Sequence, residues 1–246
     1  MDYDFGQMLW IVCGVAFAAS FLHGIVSLGY GMIAMGVMAF FMPYSNCAAI
    51  VSLQLTLLTI QIAYTFRKNI DWKLVFLPTV VMLAGKILGV VVLMNLNSDF
   101  MKLLLGAMLI LFSCNGLFVK NEKLAVRGNK INSVIFPFVG GLFGGMFNVS
   151  GPAAALYFQA ACRGDTKKYS GCLNFTFVPS AIVGTAMHIF YGNYNRPAIT
   201  TGCISLLAVI IGVNLGVRIF VKIDYERLRK LTFAFIGVMG IAICIL

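Results

Sequence analysis

The stretch Asn148-Val149-Ser150-Gly151-Pro152, in the middle of an apolar run from Ser133 to Cys162, decides how this chain is read. Proline has no N–H and its ring collides with the preceding turn, and glycine lets the backbone leave helical geometry, so an apolar helix should break there. Inside a membrane such a break strands amide groups without helical partners. Lipid offers none, so the break must be buried in protein or face water or a ligand. Ser27-Leu28-Gly29-Tyr30-Gly31 interrupts the run from Phe5 to Met42 in the same way. Two interrupted segments at matching places in two halves point to a transporter of inverted repeats, with its site at the breaks.

Composition agrees with a membrane setting. Hydrophobic residues make up 61% of the 246 and charged ones 11%, which excludes an ordinary soluble domain and leaves an all-α polytopic membrane protein. The apolar segments are 5–42, 46–66, 73–95, 99–119, 133–162, 168–191, 197–221 and 225–246. The net charge of +10 is no nucleic-acid signal, because the eighteen Lys and Arg sit almost entirely in short loops, where membrane topology places them. Seven cysteines without C-x-x-C spacing read as packing residues, so neither disulfides, a metal nor a cofactor is expected. Asp2 and Asp4, with no basic run beside them, argue against a cleaved leader.

The halves repeat. A shift of 127 lays Gly85-x-x-x-Gly89 on Gly212-x-x-x-Gly216, and a shift of 121 lays Ser27 on Asn148 and Gly29-Tyr30-Gly31 on Ser150-Gly151-Pro152. The expected division is residues 1–119 as a first membrane repeat, 120–131 as a cytoplasmic linker and 132–246 as a second, inverted repeat. Loop charge sets the topology. If each broken segment enters and returns as a helical hairpin, fifteen basic residues in 67–73, 120–130, 163–168 and 218–230 share one face, against Lys102 and Arg196 on the other. If each crosses once, the charges divide about evenly. The first arrangement obeys the positive-inside rule. Arms of roughly 15–23 Å at 133–147 and 153–162 are also too short for a hydrocarbon core of about 30 Å. Each repeat is then a broken hairpin followed by three spanning helices, with the hairpin tips meeting near the midplane and both termini outside. The setting is a multi-pass membrane protein.

The eight acidic residues all fall at segment ends or in loops. Without a carboxylate in the spans, the unpaired N–H groups and positive dipole ends at the breaks favour a small anion. Lys86 lies deep in 73–95 and either faces a polar cavity and anion or snorkels to the interface. His23, four residues before the first break, offers a site for proton coupling. Gln54 and Asn174 either donate to an oxyanion or tie helices together, and Asn214 is assigned to helix packing. Tyr30 and Tyr157 are expected to line the cavity. The candidate substrate-binding set is therefore Ser27, Gly29, Tyr30, Gly31, Gln54, Lys86, Asn148, Ser150, Gly151 and Asn174. No H-E-x-x-H, G-x-S-x-G or Walker pattern supports an enzyme.

The run Gly140-Gly141-Leu142-Phe143-Gly144-Gly145-Met146-Phe147-Asn148-Val149-Ser150-Gly151-Pro152 through Tyr157 resembles the glycine-rich signature of the TauE/SafE sulfite exporter family, with a diverged copy at Phe21–Pro43. The resemblance extends over the whole chain in length, repeat and segment order. It implies an inner-membrane transporter of small sulfur-containing or organic anions, with Asn148, Ser150, Gly151 and Pro152 at one tip and Ser27, Gly29 and Gly31 opposite. The expected partners are a small anion, a coupling proton, the lipid bilayer and, left open, a second copy of the chain in a homodimer. No nucleic acid is expected. A secondary transporter by alternating access leads; an anion channel and a non-transporting receptor or assembly subunit remain alternatives.

Overall fold

The computed structural model describes residues 5–118, 128–219 and 225–245, so most of the 120–131 connection lies outside it, as do Asp2 and Asp4. The described elements are helical: α1 Phe5–Val26, α2 Tyr30–Met38, α3 Tyr44–Thr65, a 3₁₀ turn Arg67–Asn69, α4 Trp72–Asn95, α5 Ser98–Phe118, α6 Asn132–Phe147, α7 Gly151–Cys162, α8 Thr166–Phe190, α9 Arg196–Ile219 and α10 Tyr225–Ile245. Five of them, in α1, α3, α4, α8 and α9, are long and apolar enough to cross a membrane.

Both interrupted runs fold as hairpins. A Cβ on Gly140 would lie 2.9 Å from the Ser150 carbonyl and 3.4 Å from Ala154, which is possible only if α7 turns back along α6. The arms are unequal. α6 and α7 have 16 and 12 residues, about 24 and 18 Å, whereas the 22 residues of α1 give about 33 Å, the thickness of a hydrocarbon core. The second break also starts earlier than proline chemistry alone suggests. Asn148 ends α6 in the left-handed region at φ 56, while Gly151 and Pro152 open α7, Pro standing in the first turn where its missing N–H costs nothing. Ser27, which the shift of 121 lays on Asn148, takes the same conformation at φ 59.

Packing partners exchange when the halves exchange. α6 lies against α4, where Cβ atoms on Gly85 and Gly89 would run into the carbonyls of Phe138 and Leu142. α1 lies against α9, where Gly212 and Gly216 meet the carbonyls of Phe17 and Phe21, residues that the shift of 121 lays on Phe138 and Leu142. α3 pairs with α8 and α5 with α10. The small-x-x-x-small rows thus let backbones touch. Asn214 points away from this contact and is exposed, so its expected packing role falls to the glycines alone.

At the end bearing the 67–73 and 163–168 loops, Lys168 donates to Asp71 at 2.8 Å, and Asp71 also caps α4 through the Leu74 N–H. The neighbouring ammonium holds the Asp71 carboxyl below its ordinary value. A carboxylate lowered in this way stabilises the fold above about pH 4 and loses that contribution as pH falls through the folded value. Asp71→Asn should therefore lower stability near neutral pH by less than about 1 kcal/mol, since the pair is partly exposed, with the difference from wild type vanishing in acid. Gly145 is a harsher test, because a side chain there would lie 2.6 Å from the Gly89 Cα. Gly145→Val should cost about 1–3 kcal/mol, several degrees of detergent melting temperature, whereas Gly14→Ala, with open space around it, should melt like wild type.

Candidate functional site

The two breaks lie side by side. A Cβ on Gly31 would fall on the Asn148 carbonyl, and one on Gly151 would sit 3.3 Å from the Leu28 Cβ, so residues 28–31 and 148–151 run antiparallel past each other. They overlap instead of meeting end to end. Each is held by a helix of the opposite half: Ser27 Oγ pairs with Ser170 Oγ of α8 at 2.6 Å, and Asn148 Nδ2 donates to the Ala48 carbonyl of α3 at 2.8 Å.

Between the breaks lies a cavity of about 30 Å³, on the scale of one or two waters. Of the expected site residues, His23, Gly29, Tyr30, Gly31, Lys86, Asn148, Ser150 and Gly151 line it. Ser27, Gln54 and Asn174 do not, and act one layer behind. Gln54 accepts from the Tyr30 hydroxyl at 2.7 Å and donates to Ser205; Asn174 faces His23 and donates to the Ser170 carbonyl. For these two amides, tying helices together is what the geometry shows. Tyr157 meets Phe158 edge to face at 5.1 Å and is not among the lining residues. Sequence reading missed Leu55, Thr59, Phe177 and Ser180; the hydroxyls of Thr59 and Ser180 in otherwise apolar spans were the available signal.

Lys86 does not snorkel. It is 3% exposed, and its ammonium donates to the Gly144 carbonyl at 2.7 Å and to Asn148 Oδ1 at 3.1 Å. Gly144 belongs to the last turn of α6, whose carbonyls carry the negative end of the helix dipole, so a cation is well placed there. The stem runs past Gly184 of α8, where any side chain would collide with it. Opposite, His23 has both ring nitrogens engaged: Nδ1 accepts from the Tyr30 N–H at 3.3 Å and Nε2 faces Asn174 Oδ1 at 3.1 Å. Because Asn174 spends its amide N–H on the Ser170 carbonyl, its Oδ1 is the acceptor and the imidazole carries its proton on Nε2. No Asp or Glu lines the cavity. A lone buried cation, hydroxyls and the first turns of α2 and α7, neither capped by the side chain before it, together suit an anion.

A fold of broken helical hairpins around a central polar cavity defines the class: a multi-pass membrane transporter. The family model described as "Sulfite exporter TauE/SafE" matches residues 12–243, and the chain belongs to that family. It is 30% identical over 223 residues to a protein of Cupriavidus necator named "Probable sulfite/organosulfonate exporter TauE", covering 88% of this chain and 86% of that one. No solved structure matches the chain.

The backbone demands at the two breaks differ enough to test. Asn148→Gly preserves the left-handed conformation but removes the bonds to Ala48 and Lys86, and should cost about 1–3 kcal/mol. Ser27→Gly loses one hydroxyl pair while relieving a left-handed serine, and should stay within about 1 kcal/mol of wild type. Detergent melting curves of both variants check this; equal losses would mean that Asn148 holds nothing beyond its own backbone.

Proposed function

We propose that this protein is a secondary transporter of a small sulfur-containing oxyanion, sulfite or an organosulfonate, which binds between the two antiparallel breaks and crosses by alternating access. The observation that carries the reading is the cavity itself: Lys86 and His23 approach it from two sides, and no acid lines it to compensate a bound cation. The relative's name adds the substrate class. In a low-dielectric space a compact anion exchanges its hydration for N–H, hydroxyl and ammonium donors, whereas a cation would meet the buried Lys86 ammonium with no carboxylate to offset it.

The cavity's small volume favours a carrier over a channel. A sulfite ion has four heavy atoms and does not fit a space the size of one or two waters, so the breaks must move apart to admit it. The exchange of packing partners between halves supports an inverted repeat, in which each hairpin rides on helices of the other half and rocks against them. His23 supplies the proton-coupling step. Protonation at Nδ1 would force it to release the Tyr30 N–H, freeing a donor at the start of α2 for the anion. The basic loops, Arg67, Lys68, Lys73, Arg163, Lys167 and Lys168 among them, support a cytoplasmic position for that end and external termini.

Purified protein in liposomes should take up labelled sulfite or a small sulfonate, with competition among such anions and none from choline. Lys86→Met should weaken uptake several-fold while leaving a monodisperse protein. Gly151→Val should abolish uptake by pushing Leu28 away, and Ser150→Ala should cost less. Uptake of a cation with indifference to every anion would overturn the reading.

A further inference from the structure

Thr59 of α3 and Ser180 of α8 both bring hydroxyls to the central cavity, and the two are not equivalent. Thr59 donates to the Leu55 carbonyl at 2.8 Å, as helical threonines usually do, so its proton is spent. Ser180 is 3% exposed, and its Oγ has no hydrogen-bond partner among the described residues. The oxygen is not walled in either, and it opens on the cavity. Thr176, one turn earlier on α8, bonds back to the Cys172 carbonyl at 2.9 Å, and Ser180 makes no such bond. A buried donor without a partner costs a fold stability, so one that opens on a polar cavity is suited to a ligand.

Lys86 keeps a donor for the same place. An ammonium has three N–H groups, and two are spent on the Gly144 carbonyl and on Asn148 Oδ1. A Cβ on Gly184 would lie 2.9 Å from this ammonium, and Gly184 is one helical turn beyond Ser180 on the same face of α8. Cβ positions one turn apart are separated by about 5–6 Å. Each hydrogen bond adds roughly 2.8–3.0 Å, so two oxygens of one sulfur-centred group can reach both donors. One turn to the other side, toward the basic loops, the same face carries Phe177, an apolar ring that lines the cavity and is 6% exposed.

We propose that Ser180 and Phe177 orient the substrate: the sulfonate or sulfite group is held between Lys86 and Ser180, and the organic tail of a sulfonate lies against Phe177, pointing toward the end that bears the basic loops. The proposal rests on the anion-transport reading above. Ser180 then governs affinity for every anion of the class, and Phe177 governs the length of tail that is accepted. α8 stays helical through Pro179, so the order ammonium, hydroxyl, ring along this face survives the motion that parts the breaks. Ser150, which does not cap α7, can add a third donor, but it rides on a hairpin tip.

Uptake of labelled methanesulfonate into liposomes, competed by sulfite, ethanesulfonate and butanesulfonate, reads both roles. Ser180→Ala should raise the half-saturating concentration of methanesulfonate, and the inhibitory concentration of each competitor, several-fold, with the maximal rate little changed. Without anion its detergent melting temperature should equal or exceed that of wild type, because the lost hydroxyl bonds nothing in the fold. Phe177→Ala should leave inhibition by sulfite as it is and shift the preference several-fold toward butanesulfonate over ethanesulfonate, the space of the ring admitting the longer chain. Phe177→Leu, a milder change, carries the same reading if the alanine variant does not fold. Unchanged affinity in Ser180→Ala, or a fall in its melting temperature, overturns the head assignment. An equal effect of the Phe177 variant on sulfite and on butanesulfonate, or no shift in chain-length preference, overturns the tail assignment. No anion uptake by the wild-type protein would instead fail the transport reading, and this one with it.

Discussion

A helix that stops inside a hydrocarbon layer leaves carbonyls and amides that lipid cannot bond, and the architecture here is arranged around that constraint. At the end of α6 the Gly144 carbonyl receives both the Asn148 N–H and the ammonium of Lys86. At the end of α1 the Ser27 N–H returns to the His23 carbonyl, and the first N–H of α2 goes to the His23 ring. These solutions require close neighbours. Lys86 can reach α6 because Gly85, Gly89, Gly141 and Gly145 bring the two backbones into contact, and because Gly184 leaves its stem a path.

The helix contacts of the two halves match and the chemistry on them does not. Gly85 and Gly89 correspond to Gly212 and Gly216 in position and in what they touch, yet the shift that relates them lays Lys86 on Val213. The cation that ends α6 therefore has no counterpart at the end of α1, where His23 and Ser27 bond to α8 instead. The ammonium and the imidazole at the central cavity both come from the first half, and the hairpin that Lys86 clasps comes from the second.

Much of this was legible in the chain. The two interruptions, the repeat offsets, the absence of acids within the spans and the depth of Lys86 led to hairpins, an anion-suited cavity and its main lining residues. The second break falls inside the Asn148–Pro152 stretch that the sequence marks, with Asn148 making the left-handed bend and Pro152 at ease in the first turn of α7. Ser27, and Gln54 and Asn174, which the sequence leaves open between an oxyanion and a tie between helices, stand behind the lining residues. In helices apolar on all sides no periodic stripe tells which face looks inward, so the sequence offers no way to rank polar side chains by direction.

The sequence by itself determined what depends on local chemistry and on counts: helices throughout, breaks at two related places, the charge of the loops, and spans whose one deep charge, Lys86, is positive. Only the tertiary structure decided that the breaks lie antiparallel, that Lys86 closes the end of α6, and that Thr59, Phe177 and Ser180 join the cavity while Asn174 withdraws from it. The physical reason is range. A bend or a buried charge costs energy wherever it sits and so leaves a mark in the residues that make it, whereas the partner that repays the cost comes from a distant helix, selected by the fit of small residues against backbones that the chain order does not record.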